Sequence, residues 1–137
     1  MYQKIIVAID LSQADKGEAI ISRAEKLVDP NGEIVLLSVV EDLPNYLAVD
    51  IPMNILDRSQ TEAKDQLNAI LQKFKRADRA VIRNGPAARE ILALSEEINA
   101  DLIIVASHRP DVTNYFIGAT ADRVVRHAKC SVLVERQ

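Results

Sequence analysis

A chain of 137 residues suits one domain, and 48% hydrophobic residues supply a full core, which excludes a disordered polypeptide. A formal net charge of -3 argues against a general nucleic-acid binder, which carries a basic stripe, yet it leaves room for a small anionic ligand held by local dipoles. The single cysteine, Cys130, excludes an intramolecular disulfide and fits a reducing compartment.

In chain order, the first predicted element is a strand, Ile5-Ile6-Val7-Ala8-Ile9. This run is too short for a signal-peptide core or a membrane span, so a soluble cytoplasmic protein is expected. Asp10 and Ser12 follow. Ser12 is placed to cap the first helix, with Asp15 near the positive end of its dipole. Ile20, Ala24, Leu27 and Val28 share one face of that helix. Gly17, inside it, costs about 1 kcal/mol relative to alanine and suggests close approach by a neighbouring loop.

Pro30-Asn31-Gly32 reads as a turn before the second strand, Ile34 to Val40. The connection from Glu41 to about Asp57 is long and irregular, with Pro44 and Pro52, and loops of that length in compact domains are often functional or mobile. The stripe Ala63, Leu67, Ile70, Leu71 and Phe74 predicts the second helix. Ala80-Val81-Ile82 is a weaker third strand. Pro86 stands near the first turn of a third helix, whose stripe is Ile91, Leu94 and Ile98, with Asn99 as its C-terminal cap. Leu102 to Val105 is the fourth strand. In the last helix Ala121, Val124, Val125 and Ala128 face inward, and Val132-Leu133-Val134 is the fifth strand.

The four stronger strand runs are almost continuously apolar, the mark of parallel strands covered on both faces. Alternation with helices and right-handed crossovers then predict an α/β fold: a doubly wound five-stranded parallel sheet with helices on both faces, one domain over residues 1–137. A strand order of 3-2-1-4-5 is assumed.

In such sheets ligands bind beyond the C-terminal strand ends, where strand order reverses. Polar residue types collect after strand one (Asp10, Ser12) and after strand four (Ser107, His108, Arg109). The loop from Ser107 to Thr120 is the richest segment. It begins with a hydroxyl, an imidazole and a guanidinium, and it ends with Gly118 opening the last helix. A helix N-terminus offers free N–H groups to an anion, and Arg109 could add bidentate hydrogen bonds to phosphate. The four glycines, Gly17, Gly32, Gly85 and Gly118, cannot build a Walker-type loop or a G-x-G-x-x-G turn. Ser107 lacks a G-x-S-x-G setting, and His108, His127 and Cys130 lack metal-ligand spacing. Structural readings stand beside these: Asp10 as a turn residue, His127 and Cys130 as packing residues, and Tyr115 and Phe116 as anchors of the loop.

Three segments together resemble the universal stress protein family: Ile5 to Ser12, Ala106-Ser107-His108-Arg109-Pro110-Asp111, and Gly118 through Val134. The order of elements matches too, and the resemblance covers essentially the whole chain. It is closest to a small single-domain bacterial subgroup with a Ser-His-Arg-Pro-Asp variant of the nucleotide loop. The family's signature is G-x-x-G-x9-G-[ST]. Here Ala106 and Arg109 replace the first two glycines, the spacing to Gly118 is one residue shorter, and Ala119 replaces the final Ser/Thr, with Thr120 one position later.

The resemblance implies a dimeric, cytoplasmic stress-response protein that binds ATP, with Mg2+, as a regulatory ligand. Slow hydrolysis or self-phosphorylation is the most turnover it implies. Carried over, Asp10 would bond the ribose hydroxyls, Ile9 would flank the base, and Val39 would line the adenine pocket. Ser107, His108 and Arg109 would border the phosphates, with Gly118, Ala119 and Thr120 on their other side. Val132, Leu133 and Val134 would pair with a two-fold mate in a homodimer, or in a heterodimer with a related chain. No nucleic-acid or membrane partner is implied. The alternatives are an adaptor dimer that works through protein partners without nucleotide, and an enzyme using Ser107 or His108.

Overall fold

The computed structural model describes residues 1–40, 53–107 and 118–136. Its elements are β1 (Tyr2–Ala8), a 3-10 turn (Leu11–Gln13), α1 (Ala14–Leu27), β2 (Val28–Val40), α2 (Met53–Gln72), β3 (Arg79–Asn84), α3 (Ala87–Glu97), β4 (Leu102–Ala106), α4 (Ala119–His127) and β5 (Ser131–Glu135). The strands form one five-stranded sheet in the order β3-β2-β1-β4-β5, every adjacent pair parallel. The expected doubly wound architecture and the assumed strand order are both found.

The apolar runs explain the layering. Successive side chains of a strand point to opposite faces, so an uninterrupted apolar run feeds two cores. On one face Ile5, Val7, Ile34 and Leu36 pack against Ile20, Ile21 and Ala24 of α1 and Leu67 and Ile70 of α2. On the other, Ile6, Val35, Leu37 and Ile103 meet Ile91 and Leu94 of α3 and Ala121 and Val124 of α4. Side chains buried this fully contribute roughly 1.5–3 kcal/mol each. Among the described residues β3 is an edge strand paired only with β2, and its mixture of buried and exposed residues accounts for its weaker sequence signal.

Polar side chains clip the sheet at its N-terminal end. The Asp101 carboxylate accepts the Gln3 and Lys4 backbone N–H groups, each at 2.8 Å. Asp78 accepts the Ile34 N–H at 2.8 Å and donates its own N–H to the Ile34 carbonyl at 2.9 Å. These aspartates splice loops onto strands at the end opposite the C-terminal strand ends.

Four sequence expectations are corrected. Val28 opens β2 with extended backbone (φ -79, ψ 141) rather than closing α1, because the apolar face of the helix runs on into a buried strand residue. Ser12 does not cap α1, which starts at Ala14. Instead Asp10 caps the 3-10 turn, accepting the Ser12 N–H at 3.0 Å and the Ser12 hydroxyl at 2.6 Å. Val125 is 45% exposed, because the narrow inner stripe of the short α4 is filled by Ala121 and Val124.

Pro30-Asn31-Gly32 is the fourth. It is absorbed into β2 as an irregularity: Tyr2 pairs with Val28 but Lys4 pairs with Glu33. The Asp29 side chain accepts the Asn31 N–H at 3.0 Å, and the Arg76 guanidinium donates to the carbonyls of Asp29 and Pro30 at 2.9 and 3.1 Å. Asn99, the expected C-terminal cap, takes a left-handed φ of 55 just beyond α3.

Candidate functional site

The strand order places β1 and β4 side by side, with β2 on the other side of β1, so the chain winds away in both directions from the β1–β4 seam. Helices cover opposite faces on either side of such a switch, and a crevice opens above the strand ends. A cleft of about 440 Å³ lies there, within the usual range for small-molecule sites. Its floor is apolar, formed by Ile9, Ile20, Leu37, Ile91 and Val105, all nearly sealed from solvent. Polar groups gather at its walls and rim: Asp10, Ser12, Gln13, Lys16, Ser38 and Thr120.

Each side chain is delivered by local structure. β1 ends at Ala8, and the Ile9 N–H still bonds the Leu37 carbonyl at 2.8 Å, so the chain stays against β2 for one more residue. Asp10 then turns out to the exposed rim, holding the 3-10 turn that leads into α1. α1 comes very close at Gly17: a Cβ there would stand 3.0 Å from Ile9 Cγ2. This is the close approach that a mid-helix glycine suggests. Across the cleft, Gly118 has a φ of 102, a conformation open mainly to glycine, and its carbonyl accepts the Asp122 N–H at 2.9 Å to start α4. Thr120, in the first turn of α4, faces the cleft.

Of the residues singled out from sequence, Ile9, Asp10, Val39 and Thr120 line this one cleft. Gly118 stands at the N-cap of α4, and Ala119 is exposed beside it. Ser107 is turned elsewhere. It is 8% exposed, its N–H donates to the Glu135 carbonyl at 2.9 Å, and its hydroxyl reaches the same oxygen at 3.5 Å. The start of the loop is thereby fastened to the end of β5, whose Glu135 carboxylate pairs with Arg23 of α1 at 2.9 Å. His108 and Arg109 lie outside the described residues, as do residues 41–52 of the long connection.

Sequence reasoning missed Lys16, Gln13 and Ser38 as cleft residues. Lys16 could have been found by projecting the first turn of α1 back toward the end of β1. Ser38, the polar interruption of the Ile34 to Val40 run, was visible but given no role.

The shifted titrations lie outside the cleft. A hydrogen bond from Arg83 holds the Glu97 carboxyl below the usual carboxylate range, and burial pushes the Cys130 thiol up. Among the described residues no group of three or more acidic, histidine or cysteine side chains could hold a metal ion, and no helix is long and apolar enough to cross a membrane.

The model of the universal stress protein family matches residues 1–136. The chain belongs to the universal stress protein family. It is 31% identical to universal stress protein A homolog 2 of Coxiella burnetii over 140 residues, 98% of this chain and 95% of that one. It is 28% identical to universal stress protein G of Shigella flexneri over 143 residues, 99% of this chain and all of that one. Among solved structures, the crystal structure of a hypothetical protein is similar with a TM-score of 0.79 at 28% identity, covering 100% of this chain and 97% of that one. A universal stress protein in complex with cAMP has a TM-score of 0.60 at 21% identity, covering 98% and 97%. One from Archaeoglobus fulgidus in complex with dAMP has a TM-score of 0.60 at 13% identity, covering 97% of each chain.

Proposed function

We propose that this universal stress protein, one nucleotide-binding domain over residues 1–137, binds ATP in the cleft above β1, β2 and β4 as a regulatory ligand of a cytoplasmic dimer. The observation that carries the reading is the convergence of an apolar floor and a polar rim at the reversal of strand order, with Asp10 at one side and the first turn of α4 at the other. The residues fit the ligand by chemistry. Ile9 and Val39 offer apolar surface for a flat base, Asp10 offers a carboxylate to vicinal hydroxyls, and the N-terminus of α4 with Gly118, Ala119 and Thr120 offers N–H groups and a hydroxyl to phosphate. Arg109 and His108 precede that helix in sequence and would border the same phosphates, whereas the Ser107 hydroxyl is turned to the Glu135 carbonyl. Mg2+ would enter on the phosphates, as it commonly does, rather than in a protein cage.

The complexes of family members with cAMP and dAMP support an adenine nucleotide as the ligand class. Dimerisation would use β5, an edge strand whose Val132, Leu133 and Val134 are half-buried within the subunit. The nucleotide would act by occupancy, with slow hydrolysis or self-phosphorylation at most.

The test is to denature the purified protein, identify any released nucleotide, and titrate the refolded or nucleotide-free protein with ATP and Mg2+. Released adenine nucleotide or saturable binding is expected. Neither would overturn the proposal in favour of an adaptor that works through protein partners alone.

A further inference from the structure

We infer that Ser38 is a further specificity-determining residue of the cleft, offering its hydroxyl to a hydrogen-bonding atom on the ring system of the ligand. The inference rests on the nucleotide reading of the cleft and assigns a contact that the family resemblance does not supply.

The strand register fixes where Ser38 lies. Ala8 pairs with Leu37, and the Ile9 N–H bonds the Leu37 carbonyl, so Ser38 and Ile9 are neighbours on adjacent chains one step further up the sheet. Alternation along β2 places Ser38 on the face of Ile34 and Leu36, the face that also holds Ile9 and Ile20. Those two isoleucines floor the cleft, and Ser38 lines it with them.

Ser38 is only 4% exposed, yet its hydroxyl has no hydrogen-bond partner among the described residues. The other two buried serines among the described residues are engaged: Ser95 donates to the Leu92 carbonyl at 2.7 Å, and Ser107 reaches the Glu135 carbonyl. Among the described residues no buried polar side-chain atom is sealed away without a partner, so the small opening of Ser38 is toward the cleft it lines. A hydroxyl on a water-excluding apolar floor carries a desolvation cost when a ligand covers it, unless the ligand pairs with it. A purely apolar ring surface would leave it unpaired. A nitrogen heterocycle can satisfy it, since serine both donates and accepts. The hydroxyl therefore selects for a ring with a polar edge and against an apolar ring of the same shape.

The experiment compares wild type with Ser38→Ala, measuring ATP affinity by calorimetry and the urea midpoint of each nucleotide-free protein. A lost hydrogen bond corresponds to roughly a two- to twelvefold weaker Kd. That loss, with an unchanged urea midpoint, is the expected result. Equal ATP affinity in the two proteins would overturn the Ser38 contact while leaving the nucleotide reading standing. A midpoint that falls along with affinity would assign the hydroxyl a structural role and overturn the inference. No ATP binding by wild type would overturn the nucleotide reading itself, and the inference with it.

Discussion

Gly17 of α1 rests directly on Ile9: a Cβ built at Gly17 would approach Ile9 Cγ2 to 3.0 Å. Both residues line the cleft, so the glycine sets how closely the helix lies over the end of β1 and how much floor remains for a ligand. Gly17→Val should lower stability by about 1–3 kcal/mol through overpacking, as read by urea unfolding. The same substitution should weaken ATP binding at least about tenfold, a loss of about 1.4 kcal/mol, by narrowing the cleft.

Gly32 makes the opposite kind of close contact, away from the cleft. A Cβ there would lie 2.7 Å from Val28 Cγ2 and 2.8 and 3.0 Å from the carbonyl oxygens of Gln3 and Tyr2. Backbone oxygens in a central ladder cannot step aside as a side-chain end can. Gly32→Ala should therefore cost about 1–3 kcal/mol and lower the thermal midpoint by several degrees, without changing ATP affinity once folded.

Asp101 ties the loop before β4 to the start of β1 through two backbone N–H groups. Asp101→Ala leaves both donors to water or unpaired, and roughly 2 kcal/mol should be lost in urea unfolding. Asp101→Asn keeps one acceptor oxygen and should fall between the two.

Cys130 gives a chemical readout. Burial raises its thiol pKa above the ordinary value, so at a given pH less of it is thiolate, the reactive form. Alkylation by iodoacetamide at pH 8 should be slower for the native protein than for the urea-unfolded chain. It should accelerate as pH rises toward the shifted pKa. Equal rates in the two states would contradict the burial assigned to it.

The fold was readable because its cause is local and repeated. Apolar runs such as Ile34 to Leu37 are buried on both faces, and that alone demands parallel strands under two helical layers. The errors fall where one local signal continues across a boundary. Val28 extends the apolar face of α1, but it belongs to β2. Ser12 has the chemistry of a cap, but Asp10 is better placed to hold the turn. Val125 follows the helical period but lies on α4, too short to bury a broad stripe.

The site was partly readable for a related reason. Asp10 and Ile9 stand at a strand end, where the doubly wound fold itself predicts ligands. Lys16 and Ser38 reach the cleft only because the 3-10 turn swings α1 over β1 and because the register sets Ser38 beside Ile9. Neither relation is written in residue spacing. Ser107 has a ligand's chemistry, but its bonds to Glu135 turn it toward β5.

The proposed dimer would use the same sheet. Among the described residues β5 has a neighbour, β4, on one side only, and a second copy pairing along its other side would continue the sheet. Light scattering should give a mass twice the 15.2 kDa of one chain. Val134→Pro, which removes a donor from the free edge because the next carbonyl, that of Glu135, is the one turned toward β4, should shift that mass toward the monomer. A monomer at every concentration in the wild type would remove β5 as an interface.

The central claim is that the cleft holds ATP through Asp10 and the start of α4. The most direct measurement is calorimetric titration of ATP with Mg2+ into nucleotide-free wild type, Asp10→Ala and Ser12→Ala. Ser12→Ala controls for the turn, because the Ser12 hydroxyl bonds the same carboxylate oxygen. Losing hydrogen bonds to a charged group corresponds to roughly a tenfold or greater drop in affinity, so Asp10→Ala should bind at least about tenfold more weakly, with Ser12→Ala close to wild type. Undetectable ATP binding by the wild type, or identical binding by wild type and Asp10→Ala, would contradict the account.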